Sequence, residues 1–332
     1  MIIPISLGEN SYNIVLKKGA IKNLDEYIKL KQGTKVLIIT DSGVPEIYSK
    51  TVASQFENSY IYTFPQGESS KSFDTYKAIC EKLLELSFTR ADAVIAVGGG
   101  VVGDLSGFVS ATYMRGIAFY NIPTTFLSQV DSSIGGKTAI NLGEIKNIVG
   151  AFYQPGAVII DPEVLSSLPG RQLKNGLAES IKMGITSDKE LFSLFETDDY
   201  INNLERVIEL SLKVKRAVVE QDEKETGLRK VLNFGHTIGH GIESVFFGKL
   251  YHGECVALGM LPMCDDSIKE RVRAALERVG LPTEIVYDKE KVFSSLCHDK
   301  KAESDSVTIV RCNEIGTFQF VKTKKDELRN LI

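Results

Sequence analysis

The chain has 332 residues, 43% hydrophobic and 25% charged, which excludes a disordered polypeptide and is enough for two domains of ordinary size. A net charge of −4 excludes an overall basic field for nucleic acid, so an anionic ligand needs a local basic pocket. The five cysteines (Cys80, Cys255, Cys264, Cys297, Cys312) are odd in number and form no CxxC pair, the N-terminus MIIPISLGEN lacks a signal-peptide layout, and no apolar run approaches the roughly 20 residues of a membrane helix; a cytoplasmic protein without a disulfide framework is expected.

The first residues alternate (Ile3, Ile5, Leu7), turn at Gly8-Glu9-Asn10, and alternate again through Tyr12, Ile14 and Leu16, which predicts a hairpin. KVLIIT (35–40) is a nearly continuous apolar run, as expected of a strand buried on both faces. A helix near 44–57, a strand YIYTF (60–64), a helix over 72–86, and strands AVIAV (93–97) and IAFYNI (117–122) follow. Strands alternating with helices predict a parallel sheet with crossover helices. The alternation stops near Asp161-Pro162, and the remainder is mostly helical, with Ile201, Leu204, Ile208, Leu212 and Val219 at helical intervals. A late alternating pair, SVTIV (306–310) and TFQFV (317–321), reads as two strands. The expected fold is α/β: a Rossmann-like N-terminal domain with a parallel sheet (1–162), then a mostly α-helical domain (163–332) that binds metal and substrate. In such a molecule the site is expected in the cleft between domains, at the C-terminal ends of the strands.

GGGVVGD (98–104) directly follows the strand AVIAV, and Gly98, Gly100 and Gly103 fit GxGxxG. Backbone amides at a following helix N-terminus hold a pyrophosphate only where side chains do not block the approach. The alternative is a tight structural turn. No acidic residue stands about 20 positions later, so Asp41, ending KVLIIT, is the candidate for a ribose, with an N-cap role equally open.

Of the four histidines, His236, His240 and His252 fall within NFGHTIGHGIESVFFGKLYHGE (233–254); the fourth is His298. His236 and His240 share a helix face, so spacing alone suggests two metal ligands, with Glu179 of GLAESIK as a carboxylate third. Two imidazoles and one carboxylate with open positions suit catalytic zinc; packing histidines are the alternative. Arg115, Asp131, Lys137, Lys146 and Asn147, then Lys182, Lys215, Arg229, Asn233, Lys300 and Lys301, supply polar groups along the chain. Each alone reads as a surface residue. In SSIGGK the flanking glycines let a ligand approach, and together these residues suit a substrate carrying both carboxylate and phosphate.

The blocks QGESSK (66–71), GGGVVGD, PTT, QVDSSIGGK, KNIVGAFYQP, GLAESIK, LRKVLNFGHTIGHGIE, YHGE and HDKK (298–301) resemble those of the 3-dehydroquinate synthase family, in that family's order. The resemblance implies NAD, one divalent metal ion (usually zinc, sometimes cobalt) and usually a homodimer. It assigns the metal to Glu179, His236 and His252, which moves His240 from the metal to the substrate. It assigns NAD to Asp41, to Gln66, Gly67, Glu68, Ser69, Ser70 and Lys71, to Gly100, Val101, Val102, Gly103 and Asp104, and to Thr124, Thr125, Lys137, Lys146, Val164, Leu165, Ser166 and Ser167. Substrate and catalytic contacts fall to Asp131, Lys137, Lys182, Lys215, Arg229, Asn233, His240 and one of Lys300 and Lys301. The phosphate falls to Lys137, Asn147 and Arg115, the last reaching the neighbouring subunit. Two positions depart from the pattern: Ile145 stands where Gly is expected, and Gly241 where Ala is expected.

The implied activity is conversion of 3-deoxy-D-arabino-heptulosonate 7-phosphate to 3-dehydroquinate and phosphate, a lyase step of the shikimate pathway to aromatic amino acids. The implied course is transient oxidation by NAD, phosphate β-elimination, re-reduction and intramolecular aldol closure. Another sugar phosphate cyclase, such as a 2-deoxy-scyllo-inosose synthase, is the first alternative, and Lys215 and Arg229 as carboxylate readers count against it. A metal-dependent polyol dehydrogenase is the second, and SSIGGK with Lys146-Asn147 counts against that. A non-catalytic NAD-binding regulator is the third, but it has no use for an open metal site.

Overall fold

The structure, a computed structural model, describes residues 1–143, 145–298 and 306–332. It divides into two compact units, Met1–Pro169 and Gly170–Ile332.

The first unit is built on a seven-stranded sheet. Its strands are β1 (Ile2–Ile5), β2 (Tyr12–Leu16), β3 (Lys35–Asp41), β4 (Asn58–Phe64), β5 (Ala93–Gly98), β6 (Ala118–Pro123) and, late in the unit, a further strand Ala157–Ile160. Between β6 and that strand lies a separate hairpin, β7 (Lys137–Leu142) and β8 (Ile145–Phe152), so Ala157–Ile160 is β9. The sheet order is β1-β2-β9-β6-β5-β3-β4, parallel except for the β1–β2 hairpin. Helices α1 (Glu46–Ala53), α2 (Phe73–Glu85) and α3 (Gly100–Thr112) make the crossovers.

The apolar runs are continuous because both faces of the sheet are covered. Val36, Ile38, Ile95 and Val97 pack into one buried cluster with Leu24, Val52 and Val164. Leu37, Ile39, Val94 and Ala96 face the other way, onto Ile79 and Leu83 of α2 and Val102 and Leu105 of α3. β3 has β4 on one side and β5 on the other, so the chain reverses direction across the sheet between β3 and β5. A ligand of an open α/β sheet binds at the carboxyl ends of strands flanking such a reversal.

The hairpin β7–β8 and strand β9 were not anticipated. β8 is exposed along nearly its whole length and lacks the alternation that marks a half-buried strand. The boundary between units falls after Pro169 rather than after 162. The turn Pro162–Ser167 belongs to the first unit: Val164 is in its core, and the Tyr48 hydroxyl donates to Val164 O (3.2 Å) and bonds Ser167 Oγ (2.9 Å).

The second unit contains α4 (Gly170–Ser187), α5 (Lys189–Phe195), α6 (Asp199–Asn202), α7 (Leu204–Gln221), α8 (His236–Val245), α9 (His252–Met260), α10 (Asp266–Val279) and α11 (Lys289–His298), then the antiparallel pair β10 (Ser306–Arg311) and β11 (Gln319–Lys324). Gly259 of α9 lies against α8 so closely that a Cβ there would overlap the Gly235 carbonyl oxygen and come within 2.7 Å of Gly239 N. Gly241 has a local reason too: a Cβ would stand 2.8 Å from Leu296 Cδ2 of α11, so the Ala expected there would require the Leu296 side chain to shift. Ile145 begins β8 with its side chain exposed, so nothing packs against it that a Gly would relieve. No described helix is long and apolar enough to cross a membrane.

Candidate active site and metal centre

In the second unit, three helices deliver three ligand-type side chains to one point. Glu179 lies in the middle of α4, His236 opens α8 and His252 opens α9. Their positions follow from local ties. Arg171 at the start of α4 grips both oxygens of Glu254 (2.7 and 2.8 Å), and Glu254 in turn accepts the Tyr251 amide ahead of α9 (2.8 Å). Asn175 Oδ1 accepts the Gly253 amide (2.6 Å).

Glu179 is 0% exposed. The Nε2 atoms of His236 and His252 stand 3.7 and 3.6 Å from its Oε1, and neither carboxylate oxygen has a formed hydrogen bond. Ligand atoms about 2.0–2.2 Å from a tetrahedral ion lie about 3.3–3.6 Å from one another, so these separations fit an ion's ligands better than a hydrogen bond. The three groups offer ligand atoms that all lie within 4.8 Å of one another. A borderline divalent ion therefore fits this donor set.

Glu179 is surrounded by groups that can carry positive charge. Burial pushes its carboxyl up, but Lys182 on the same helix, then His236 and His252, hold it well below the usual carboxylate range. Lys182 is 1% exposed; it pairs with Glu179 Oε2 and donates to Leu232 O (2.5 Å). Burial, reinforced by Lys182, holds His236 well below the ordinary imidazole range and so neutral. Burial also works against charge on His252, but Glu179 and Glu243 outweigh it and raise that ring to about 9. His240 is exposed on α8, with ring centroids 5.2 Å from His236 and 5.8 Å from His252. It has no place in the Glu179 group, but with Glu243 and His252 it forms a second three-residue cluster.

Lys215 of α7 is buried, and Arg229 is buried in the turn Leu228–Asn233. Asp222 organises that turn by accepting the amides of Thr226 (2.9 Å), Gly227 (2.7 Å) and Arg229 (2.9 Å). The Arg229 guanidinium donates to Glu223 O (2.5 Å). Asn233 is exposed and donates to Glu225 Oε1 (2.9 Å). Glu225 sits at φ +59°, a left-handed conformation uncommon outside glycine. Sequence reading missed Glu225 and Glu243. Glu225 carries no sequence signal; Glu243 does, standing seven residues after His236 and thus on the same helix face.

In the first unit, Asp41 ends β3 and the glycine loop follows β5, at neighbouring strand ends. Asp41 is not the N-cap of α1, a position held by Pro45; its Oδ1 accepts the Gly43 amide (2.8 Å). Burial raises the Asp41 carboxyl. Gly99 caps α3 without any side-chain acceptor, so the first amides of that helix, over Gly100, Val101 and Val102, present donors to an anion. A Cβ on Gly98 would collide with Val102, and one on Gly103 would reach 3.0 Å from Asn121 Nδ2.

Lys71 is buried and pairs with Asp104 and Asn147 Oδ1. Asn141 joins the same network: it accepts the Asn147 amide (2.9 Å) and donates to Glu68 (2.8 Å). Thus the stretch Gln66, Gly67, Glu68, Ser69, Ser70, Lys71 is stitched to the β7–β8 hairpin. Asn147, expected at the phosphate, is tied to residues expected at NAD. Thr124 donates its amide to Gly98 O (2.9 Å), and Thr125 bonds Ser128 (2.7 Å). Asp131 lies in a π-helical turn, Ser128–Ser132, a distortion frequent at functional sites. Lys137 and Lys146 are exposed on the hairpin. Val164 and Leu165 are buried and Ser166 and Ser167 exposed, beside Tyr48 of α1. Arg115 is exposed at φ +67°, next to Met114 at +49°, and its guanidinium makes no hydrogen bond or ion pair with a described residue. Lys300 and Lys301 lie outside the described residues.

Two family profiles match adjoining stretches: 3-dehydroquinate synthase N-terminal over residues 61–175, and 3-dehydroquinate synthase C-terminal over 176–302. The chain belongs to the 3-dehydroquinate synthase family. A 3-dehydroquinate synthase of Streptococcus thermophilus is 41% identical over 337 residues, covering 95% of both chains. Among solved structures, a 2-deoxy-scyllo-inosose synthase complexed with carbaglucose-6-phosphate, NAD+ and Co2+ superposes with TM-score 0.91 at 27% identity, covering 100% of this chain and 99% of that one. ValA, a 2-epi-5-epi-valiolone synthase from Streptomyces hygroscopicus with NAD+ and Zn2+ bound, gives 0.85 at 25% identity, covering 98% and 97%. This member of the 3-dehydroquinate synthase family thus shares its architecture with sugar phosphate cyclases.

Proposed function

We propose that the chain is a 3-dehydroquinate synthase that converts 3-deoxy-D-arabino-heptulosonate 7-phosphate to 3-dehydroquinate and phosphate. The observation that carries this reading is the convergence of Glu179, His236 and His252 beside buried Lys182, in a chain that matches the family through both its profiles. When bound, NAD supplies a hydride acceptor and donor, and a divalent ion, zinc or cobalt, supplies Lewis acidity toward a substrate oxygen.

The chain's own residues then have separable tasks. Glu179, His236 and His252 hold the ion. The uncapped amides of Gly100, Val101 and Val102, with Gly103, Asp104, Thr124, Thr125, Lys146, the 66–71 stretch and the Val164–Ser167 turn, hold the nucleotide, and Asp41 takes a ribose. Lys137 and Asn147 bind the phosphate; Lys71 occupies Asn147 Oδ1, which leaves the Nδ2 donor for an anion. Lys215 and Arg229 read the substrate carboxylate. The Arg229 guanidinium is a planar fork of N–H donors suited to that group, and its bond to Glu223 O helps set the fork's direction. Asp131, Lys182, Asn233 and His240 orient the hydroxyls and move protons. The substrate C6–H is acidic only while C5 is a carbonyl, so phosphate loss needs an oxidation that is later reversed. Holding one substrate at both ends through several steps explains a site rich in Lys, Arg and Asn.

We place the enzyme in the cytoplasm as a homodimer. Exposed, unpaired Arg115 in its left-handed turn supports a reach toward a second copy. The 2-deoxy-scyllo-inosose reading shares metal, NAD and phosphate loss, and the Lys215–Arg229 pair separates the two. Incubating the chain with NAD, zinc and the heptulosonate phosphate should yield free phosphate and the carbocycle in equal amounts. Turnover of a hexose 6-phosphate, with none of the heptulosonate phosphate, would transfer the chain to the other cyclases.

A further inference from the structure

The two histidines of the metal group face the same carboxylate oxygen with Nε2 and are held at Nδ1 by partners of different kinds. Each directs Nε2 toward Glu179 Oε1. Each has Nδ1 engaged at 3.1 Å: His236 with the Phe234 carbonyl oxygen, His252 with Glu243 Oε2. One anchor is a neutral backbone group beyond the reach of substitution. The other is a carboxylate on α8, seven residues after His236 and reaching across to the first residue of α9.

We propose that Glu243 is a positioning residue for the metal centre: its Oε2 accepts a hydrogen bond from the Nδ1–H of His252, which fixes the tautomer that presents Nε2 and sets the ring's direction. The inference rests on the metal reading given above. A ring nitrogen that ligates a metal must be unprotonated, so the proton belongs on the other nitrogen, and an acceptor there both orients the ring and raises its basicity. Glu243 supplies that acceptor with a full negative charge, which the carbonyl at His236 does not.

Glu243 also belongs to the second three-residue cluster, with His240 and His252. Geometry favours the positioning role. Its 3.1 Å approach to Nδ1 is the length of a formed hydrogen bond, whereas the Nε2 distances to Glu179, at 3.6 and 3.7 Å, are too long for one. Glu179 is also the fully buried carboxylate: Lys182 pairs with its Oε2, while its Oε1, without a formed hydrogen bond, is the oxygen that both imidazoles face.

The test compares Glu243→Gln and Glu243→Ala with the parent chain. Zinc affinity is read by competition with a chromophoric chelator, and the visible spectrum is read after loading with cobalt. Glu243→Ala should lose about 10–100-fold in zinc affinity. Glu243→Gln keeps an acceptor oxygen and should recover most of that loss. The cobalt spectrum should keep the intensity of the same coordination number in all three. Melting of the metal-free chains checks that the fold is unchanged. Should Glu243→Ala not fold, Glu243→Asp keeps the charge but withdraws the acceptor by one methylene, and should show the same loss. Parent-like zinc affinity in the Ala or Asp variant would overturn the proposal. A cobalt spectrum missing a ligand in both the Gln and Ala variants would also overturn it, by making Glu243 a ligand. Glu179→Ala separates the two levels: if that variant holds zinc like the parent, the metal reading itself fails.

Discussion

Lys182 and Glu179 are one helical turn apart on α4, 1% and 0% exposed, and paired. Such a pair costs a great deal to break and less to remove whole. Lys182→Met strips the charge that does most to hold the Glu179 carboxyl low and leaves a buried carboxylate without its ammonium partner. Losing one partner of a buried pair costs about 3–5 kcal/mol, against roughly 0–1 kcal/mol for an exposed pair. Glu179→Gln should cost a similar amount, because Lys182 then keeps only the Leu232 carbonyl. At about 2–4 °C per kcal/mol for a unit of this size, either variant should melt on the order of 10 °C lower. Removing both charges abolishes the uncompensated ion, so the double variant should cost at least about 2 kcal/mol less than the sum of the singles. The assay is unfolding followed by far-ultraviolet circular dichroism with chelator present, so that metal binding does not enter the balance. The transition assigned to the second unit is analysed separately. Strict additivity, or singles that melt with the parent, would refute the buried ion pair.

Three further outcomes follow from the same geometry. Gly259→Ala should force α8 from α9, costing about 3 kcal/mol or more and weakening zinc binding; a parent-like melt and affinity would mean the helices are not so close. Burial pushes the Asp222 carboxyl up, but the amides of Arg229, Gly227 and Thr226 outweigh it and bring it down to about 2. Since this folded value lies below the ordinary 3.8, its contribution is complete above about pH 4 and fades as pH falls through about 2, so Asp222→Asn should flatten that part of the stability–pH curve; an unchanged curve would contradict it. Mixing Arg115→Ala subunits with Lys137→Ala subunits should restore about one good site per heterodimer, and heterodimers confirmed by mass without recovered activity would confine Arg115 to its own subunit.

Much of the first unit's fold can be read from its residues because burial on both faces leaves a simple trace. KVLIIT and AVIAV are unbroken apolar runs, and they became β3 and β5. The β7–β8 hairpin left no such trace: Ile145, Ile148 and Phe152 are exposed, and the glycines of SSIGGK look like a ligand loop, so the periodicity of a strand was masked. Asp161-Pro162 looks like a domain break, yet Asp161 caps the turn that follows and also accepts the amides of Gly19 and Ile21, which fastens that turn to the first unit. In the second unit, the histidine spacing pointed to His236 and His240, and only the family's pattern put His252 with Glu179. Spacing within one helix cannot report that α9 brings a residue from another helix to the same point. The burial of Lys182 and Arg229 was equally invisible, since a charged residue reads as surface until its partners are placed.

The central claim is cyclisation with phosphate loss and no net redox change, and the measurement that meets it most directly is the ratio of phosphate released to NADH accumulated. With catalytic NAD, zinc and excess heptulosonate phosphate, many equivalents of phosphate should appear per NAD, with any NADH absorbance no larger than the enzyme concentration. NADH accumulating in proportion to substrate consumed, with the phosphate ester intact, would contradict the account and make the chain a dehydrogenase.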